Sequence, residues 1–124
     1  MITVMDMVEE FARKTGQAEG SWRLYEKLIM EEYNEWTQDV LDHEHDLKEL
    51  CDLVYVIYGY CYHRGWNLDE ALRRVHANNL GRCLRADGTV ERNKDGKIIK
   101  NKDYPHVDLR DLVNMSYWLE NKDG

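Results

Sequence analysis

The chain has 124 residues, of which 33% are charged and 43% hydrophobic, and its formal net charge is −7. That length suits one domain, expected to span residues 1–124, with a real core that oligomerisation would help to complete. The acidic balance argues against a nucleic-acid-binding or membrane-surface protein, whose footprint would be basic. Apolar runs such as Leu53 to Ile57 are far too short to span a membrane. Cys51, Cys61 and Cys83 are odd in number and show no CxxC spacing, and no signal peptide is expected ahead of them. They are expected to be reduced thiols of a cytoplasmic protein, with core packing as their job.

The first two thirds of the chain carry helical patterning. Residues about 3 to 14 form an amphipathic segment with Val4, Met7, Val8 and Phe11 on one face, stopping before Gly16. Ser21 then offers an N-cap for a long helix through about Val40. The polar run Asp42-His43-Glu44-His45-Asp46 is expected to be a link, followed by a helix from about Leu47 to Arg64 that ends at Gly65. Asn67 caps the next helix, Leu68 to about Asn79, which Gly81 is expected to close. After Gly81 the pattern changes. Asp87-Gly88 and Asp95-Gly96 are turn dipeptides beside short alternating stretches, Thr89 to Arg92 and Lys97 to Lys100, which predicts a hairpin or folded loop with a basic surface. A last short helix is expected after Pro105, from near Asp108, carrying Leu109, Leu112 and Val113. The expectation is an all-α bundle of four to five helices with a short basic loop or hairpin appendage near the C-terminus.

Two carboxylate pairs stand out, Glu32/Glu35 and Glu49/Asp52. An i,i+3 spacing puts both members of a pair on one helical face, so two helices side by side aim four oxygen ligands at one point. Mg²⁺ and Mn²⁺ take such hard oxygen ligands and keep room for water and phosphates. Either pair alone is also what an ordinary solvated helix surface carries. At about 100° per residue, however, Glu32 and Glu35 share a face with Leu28 and, more loosely, Leu24 and Tyr25. Glu49 and Asp52 share theirs with Leu53, Val56, Gly59 and Tyr60. Acids in line with a core-facing stripe repel one another and lose solvation unless cations neutralise them. Gly59, lacking a side chain on that face, is compatible with close approach of a partner helix or ligand.

Other constellations carry less. His43 and His45 have no third partner at zinc-ligand spacing and are expected to belong to a polar loop. His63 and His76 are expected to be structural. The stretch Glu91-x-Asn93-x-Asp95-Gly96 resembles half a calcium loop, but Lys102 stands where the last glutamate belongs. No Glu-x-x-His pair of the di-iron carboxylate kind occurs. Nor does any serine or cysteine sit in a recognisable nucleophile motif.

Glu31-Glu32-x-x-Glu35, a thirteen-residue gap and Glu49-x-x-Asp52 resemble the EExxE…ExxD signature of the MazG-like all-α nucleoside triphosphate pyrophosphohydrolases. That superfamily also holds the phosphoribosyl-ATP pyrophosphatases and the dimeric dUTPases. The run from Glu70 to Arg82, then Asp87-Gly88, Asp95-Gly96-Lys97 and Tyr104-Pro105, is similar to the tail of small members often encoded by phages. Arg82 stands where members often carry lysine, which keeps the charge but turns a point donor into a fork.

The resemblance implies metal-dependent hydrolysis of a (d)NTP to the (d)NMP and pyrophosphate by attack of water at the α-phosphorus. Glu32, Glu35, Glu49 and Asp52 would hold Mg²⁺ or Mn²⁺, which acidifies water and stabilises phosphoryl charge. Glu31 flanks the site as general base, extra ligand or plain surface residue. Asn79, Arg82, Lys97 and Lys100 are candidate phosphate contacts, because a triphosphate needs donors that the acidic helices lack. Trp22 is a candidate for stacking on the base, with burial in the core as its other reading. The resemblance implies a homodimer or homotetramer, and a purine preference, dGTP or GTP, is the expectation. Phosphoribosyl-ATP or dUTP hydrolysis stays open, as does a non-enzymatic helical interaction protein whose acids bind a structural cation.

Overall fold

In a computed structural model of the chain, residues 1–17, 21–38 and 42–113 are described. The architecture is all-α, with four helices, α1 (Val4–Thr15), α2 (Trp22–Gln38), α3 (His43–Arg64) and α4 (Leu68–Cys83), then a 3-10 turn at Arg110–Val113. No strand occurs among the described residues. Two compact units divide the chain, Met1–Asp69 and Glu70–Gly124.

The first unit is three helices with α3 packed against both others, more extensively against α2. A capping box starts α1: Thr3 Oγ1 accepts from the Asp6 N–H at 3.1 Å, and Asp6 Oδ2 accepts from the Thr3 N–H at 2.9 Å. Gly16 ends it in the left-handed region, φ 78°, where glycine carries no Cβ penalty. Val8 and Ala12 are the residues that α1 buries, whereas Met7 and Phe11 of the expected face stay half-exposed, the Phe11 ring edge-on to Tyr55 of α3. Ser21 Oγ accepts from the Arg23 N–H at 3.0 Å at the start of α2, as expected of an N-cap. The expected extension of this helix to Val40 lies outside the described residues.

The polar run 42–46 is not a link but the first turn of α3. Asp42 is the N-cap, its Oδ1 accepting from the N–H groups of Glu44 at 3.0 Å and His45 at 3.4 Å. Glu44 and Asp46 then sit in the first turn, where acids favour the helix dipole. Asp46 Oδ1 also accepts from Trp36 Nε1 at 2.7 Å, which ties the start of α3 to α2. A Cβ on Gly59 of α3 would fall on the Tyr25 ring of α2, so the glycine makes room for that ring between the two helices. Tyr25 is buried there and its hydroxyl donates to Gln17 Oε1 at 2.9 Å. Asp69 accepts from the Met5 N–H at 3.3 Å and the Tyr58 hydroxyl at 3.0 Å. Of the three cysteines only Cys61 is buried; Cys51 is exposed and Cys83 intermediate, so core packing holds for one of them.

In the second unit α4 does not stop at Gly81 but runs on to Cys83. A Cβ on Gly81 would meet the Tyr104 phenol, so this glycine serves side-chain packing rather than termination. Beyond α4 the chain forms a folded loop with one antiparallel bridge, Arg92 with Ile98, and two glycine turns, Gly88 at φ 84° and Gly96 at φ 81°. The alternating stretches are too short for regular strands. Their turns hold instead through the Arg85 N–H to Thr89 O at 2.8 Å and the Asn93 N–H to Lys97 O at 2.9 Å. The loop returns to α4 where the Asn101 N–H donates to Arg82 O at 2.7 Å and Asn78 Nδ2 to Pro105 O at 2.8 Å. The expected last helix is the single 3-10 turn, held by the bidentate Arg74–Asp111 pair at 2.6 and 3.0 Å.

Candidate metal centre

The register of α2 and α3 delivers their acids to one place. Carboxylate oxygens of Glu32, Glu49 and Asp52 all lie within 4.8 Å of one another. Glu49 is the only buried charged residue among those described, at 6% exposure, while Glu32 and Asp52 are half-buried. Burial pushes the Glu32 carboxyl above the usual range, and the charges of Glu35, Asp52 and Glu49 together with a hydrogen bond to Glu35 push it further. Glu35 therefore adjoins the group from an exposed position. Glu31 is exposed and outside it.

Glu32 Oε2 and Glu49 Oε2 are buried and find no hydrogen-bond partner among the described residues. Native structures rarely leave a buried carboxylate oxygen so. Acid oxygens held close together, two of them orphaned, are what a hard divalent cation satisfies. The residues present thus fit Mg²⁺ or Mn²⁺.

Two further side chains touch the acids. His45 Nε2 is 3.2 Å from Glu49 Oε1, and Lys48 Nζ is 2.6 Å from Asp52 Oδ2. Both are i,i+4 pairs on α3. Sequence reasoning missed them because it left His45 in a loop and did not single out Lys48. Once α3 starts at His43, the spacing His45-x-x-Lys48-Glu49-x-x-Asp52 is itself the signal.

The remaining candidates have surroundings of their own. Trp22 belongs to an aromatic cluster in which the Arg64 guanidinium stacks 3.5 Å from its ring centroid and Tyr60 meets it edge-on at 6.0 Å. Ten residues of helix, about 15 Å of rise, separate it from Glu32. Asn79, Arg82, Lys97 and Lys100 belong to the second unit. There Asn79 Oδ1 accepts from Arg82 Nη2 at 2.8 Å, and Arg82 and Lys100 line one cleft of about 280 Å³. Lys97 is not part of that lining; it follows the Gly96 turn, its N–H donating to Asn93 Oδ1 at 3.0 Å.

The four helices with acids from α2 and α3 brought together agree with the expected MazG-like all-α architecture. Residues 4–79, which carry every acid of the site, match the phosphoribosyl-ATP pyrophosphohydrolase family model, and the chain belongs to that family. No curated protein matches it. Membership makes the chain a pyrophosphohydrolase, a hydrolase of acid anhydrides with a nucleotide-like substrate. No helix among the described residues is long and apolar enough to cross a membrane.

Proposed function

We propose that the chain is a metal-dependent nucleoside triphosphate pyrophosphohydrolase that converts a (d)NTP to the (d)NMP and pyrophosphate. The observation that carries this reading is the convergence of Glu32, Glu49 and Asp52 within 4.8 Å, with Glu35 adjoining. These four carboxylates would hold Mg²⁺ or Mn²⁺. When bound, such cations neutralise triphosphate charge and acidify water. Glu49, buried, and Glu32, half-buried, hold two of the acid oxygens away from bulk water, so their charge is directed into the site rather than solvated. Water attacks the α-phosphorus, the bond to the bridging oxygen breaks, and pyrophosphate leaves. In this reading Glu31, exposed and next to Glu32 in α2, accepts the proton of the attacking water.

Asn79, Arg82, Lys97 and Lys100 are proposed as phosphate donors, since ionised donors form the stronger hydrogen bonds to phosphate oxygens. Base stacking by Trp22 has less support, because Arg64 covers one face of its ring. A purine preference, dGTP or GTP, is proposed against phosphoribosyl-ATP and dUTP. A homodimer or homotetramer is proposed from the thinness of the described core. Its buried hydrophobic residues are Val8, Ala12, Tyr25, Tyr58 and Cys61, while Met7, Phe11, Met30, Leu47 and Val54 are exposed.

The test is incubation with a panel of NTPs, dNTPs and phosphoribosyl-ATP in Mg²⁺ or Mn²⁺, in ¹⁸O water. The expected products are monophosphate and pyrophosphate, with ¹⁸O in the monophosphate. Diphosphate and inorganic phosphate would refute the mechanism. Stable metal binding without turnover of any substrate would make the chain a cation-binding interaction protein instead.

A further inference from the structure

We infer that Lys48 is a polyphosphate-binding residue of the acid site, the donor that α3 itself presents to a phosphoryl oxygen. The inference rests on the proposed cation-and-triphosphate reading and adds a residue to it. Lys48 Nζ lies 2.6 Å from Asp52 Oδ2, one of the three acids whose carboxylate oxygens lie within 4.8 Å of one another. Its side chain is 67% exposed against 34% for Asp52 and 8% for Glu49. It therefore stands at the solvent edge of the site, where a ligand arriving from water meets it first.

The chemistry of the group suits that place. An ammonium has three N–H donors and no acceptor, and the hydrogen bond it makes here is to Asp52. Two donors remain for a second anionic oxygen. The four-carbon stem lets the same nitrogen turn from the carboxylate to a phosphoryl oxygen without moving the helix. Helix stability does not call for lysine at this position. In i,i+4 pairs the favourable order puts the acid N-terminal to the base, and Lys48-x-x-x-Asp52 is the reverse. Two other cations of the first unit, Arg64 and His45, are placed differently. Arg64 is stacked among Trp22, Tyr60 and Trp66 and lies twelve residues, about 18 Å of helical rise, beyond Asp52. His45 contacts the buried Glu49. Acids filled by cations would still leave a polyphosphate with surplus negative charge, and Lys48 is the cation in direct contact with Asp52 that meets it.

Calorimetry on the full chain separates the possibilities, using Mg²⁺ or Mn²⁺ alone and then micromolar inorganic pyrophosphate at saturating cation. For Lys48→Met the expected result is cation affinity equal to or tighter than wild type. Pyrophosphate affinity should be at least roughly tenfold weaker, the usual weight of a charge-assisted hydrogen bond. Lys48→Arg should restore most of the loss, and with substrate the effect should fall on KM more than on kcat. Pyrophosphate binding within twofold of wild type in Lys48→Met overturns the inference. Weaker cation binding in that variant overturns it too, since Lys48 would then act by holding Asp52. If wild type and Asp52→Asn bind the cation alike, the acid site itself is not a metal centre and both readings fall.

Discussion

Glu49→Gln exchanges one oxygen for nitrogen in a residue that is 6% exposed, and it tests the acid group without relying on turnover. At the outer bound of 4.8 Å between their oxygens and an effective dielectric near 20, two like charges repel by about 3.5 kcal/mol. Glu49 has two such neighbours, Glu32 and Asp52. Three effects reduce the gain from removing its charge: Glu32 holds a proton more readily than an ordinary glutamate, Lys48 neutralises part of Asp52, and His45 loses a charged partner. A net rise in metal-free stability of about 1–3 kcal/mol remains. Urea unfolding in chelator, at matched protein concentration, should show a higher midpoint with an unchanged slope. Adding Mn²⁺ to a hundred times its Kd should stabilise wild type by about 2.7 kcal/mol and the variant by much less. A metal-free variant less stable than wild type would refute the repulsion argument. Equal stabilisation of both proteins by Mn²⁺ would refute the ligand assignment.

Glu35→Gln or Asp52→Asn should abolish turnover while leaving the helical circular dichroism intact, and near-normal kcat at saturating Mg²⁺ in either variant would count against the site. Gly59→Ala should destabilise by about 1–2 kcal/mol, as overpacking against Tyr25 outweighs the gain in helix propensity; an unchanged urea midpoint would contradict the close approach. Because the folded state raises the Glu32 carboxyl above 4.5, its stabilising contribution is complete below that pH and is lost as pH rises through the folded pKa. Thermal unfolding in chelator between pH 4 and 8 should therefore show a decline that Glu32→Gln flattens. Neutralising Arg82 and Lys97 together should raise KM for the triphosphate, and activity within twofold of wild type would make them surface charges.

The i,i+3 acids, the Ser21 start and the Gly16 and Gly65 stops are local matters, determined within one or two helical turns, and the sequence by itself determined them. The class was legible through the resemblance of Glu31-Glu32-x-x-Glu35 and Glu49-x-x-Asp52 to the EExxE…ExxD signature, and the family match over residues 4–79 agrees with it. Where local signals had two physical meanings, composition was a poor guide. Asp42 to Asp46 is polar because it caps and opens α3, not because it is loop, and Gly81 is small because Tyr104 needs its space, not because the helix ends there. Only the tertiary structure decided that Glu49 is the deeply buried acid and Asp52 the half-open one, and that Gly59 is shaped to Tyr25. Those outcomes depend on how α2 rotates and settles against α3, and that rotation is a property of packed surfaces which no single helix carries in its own sequence.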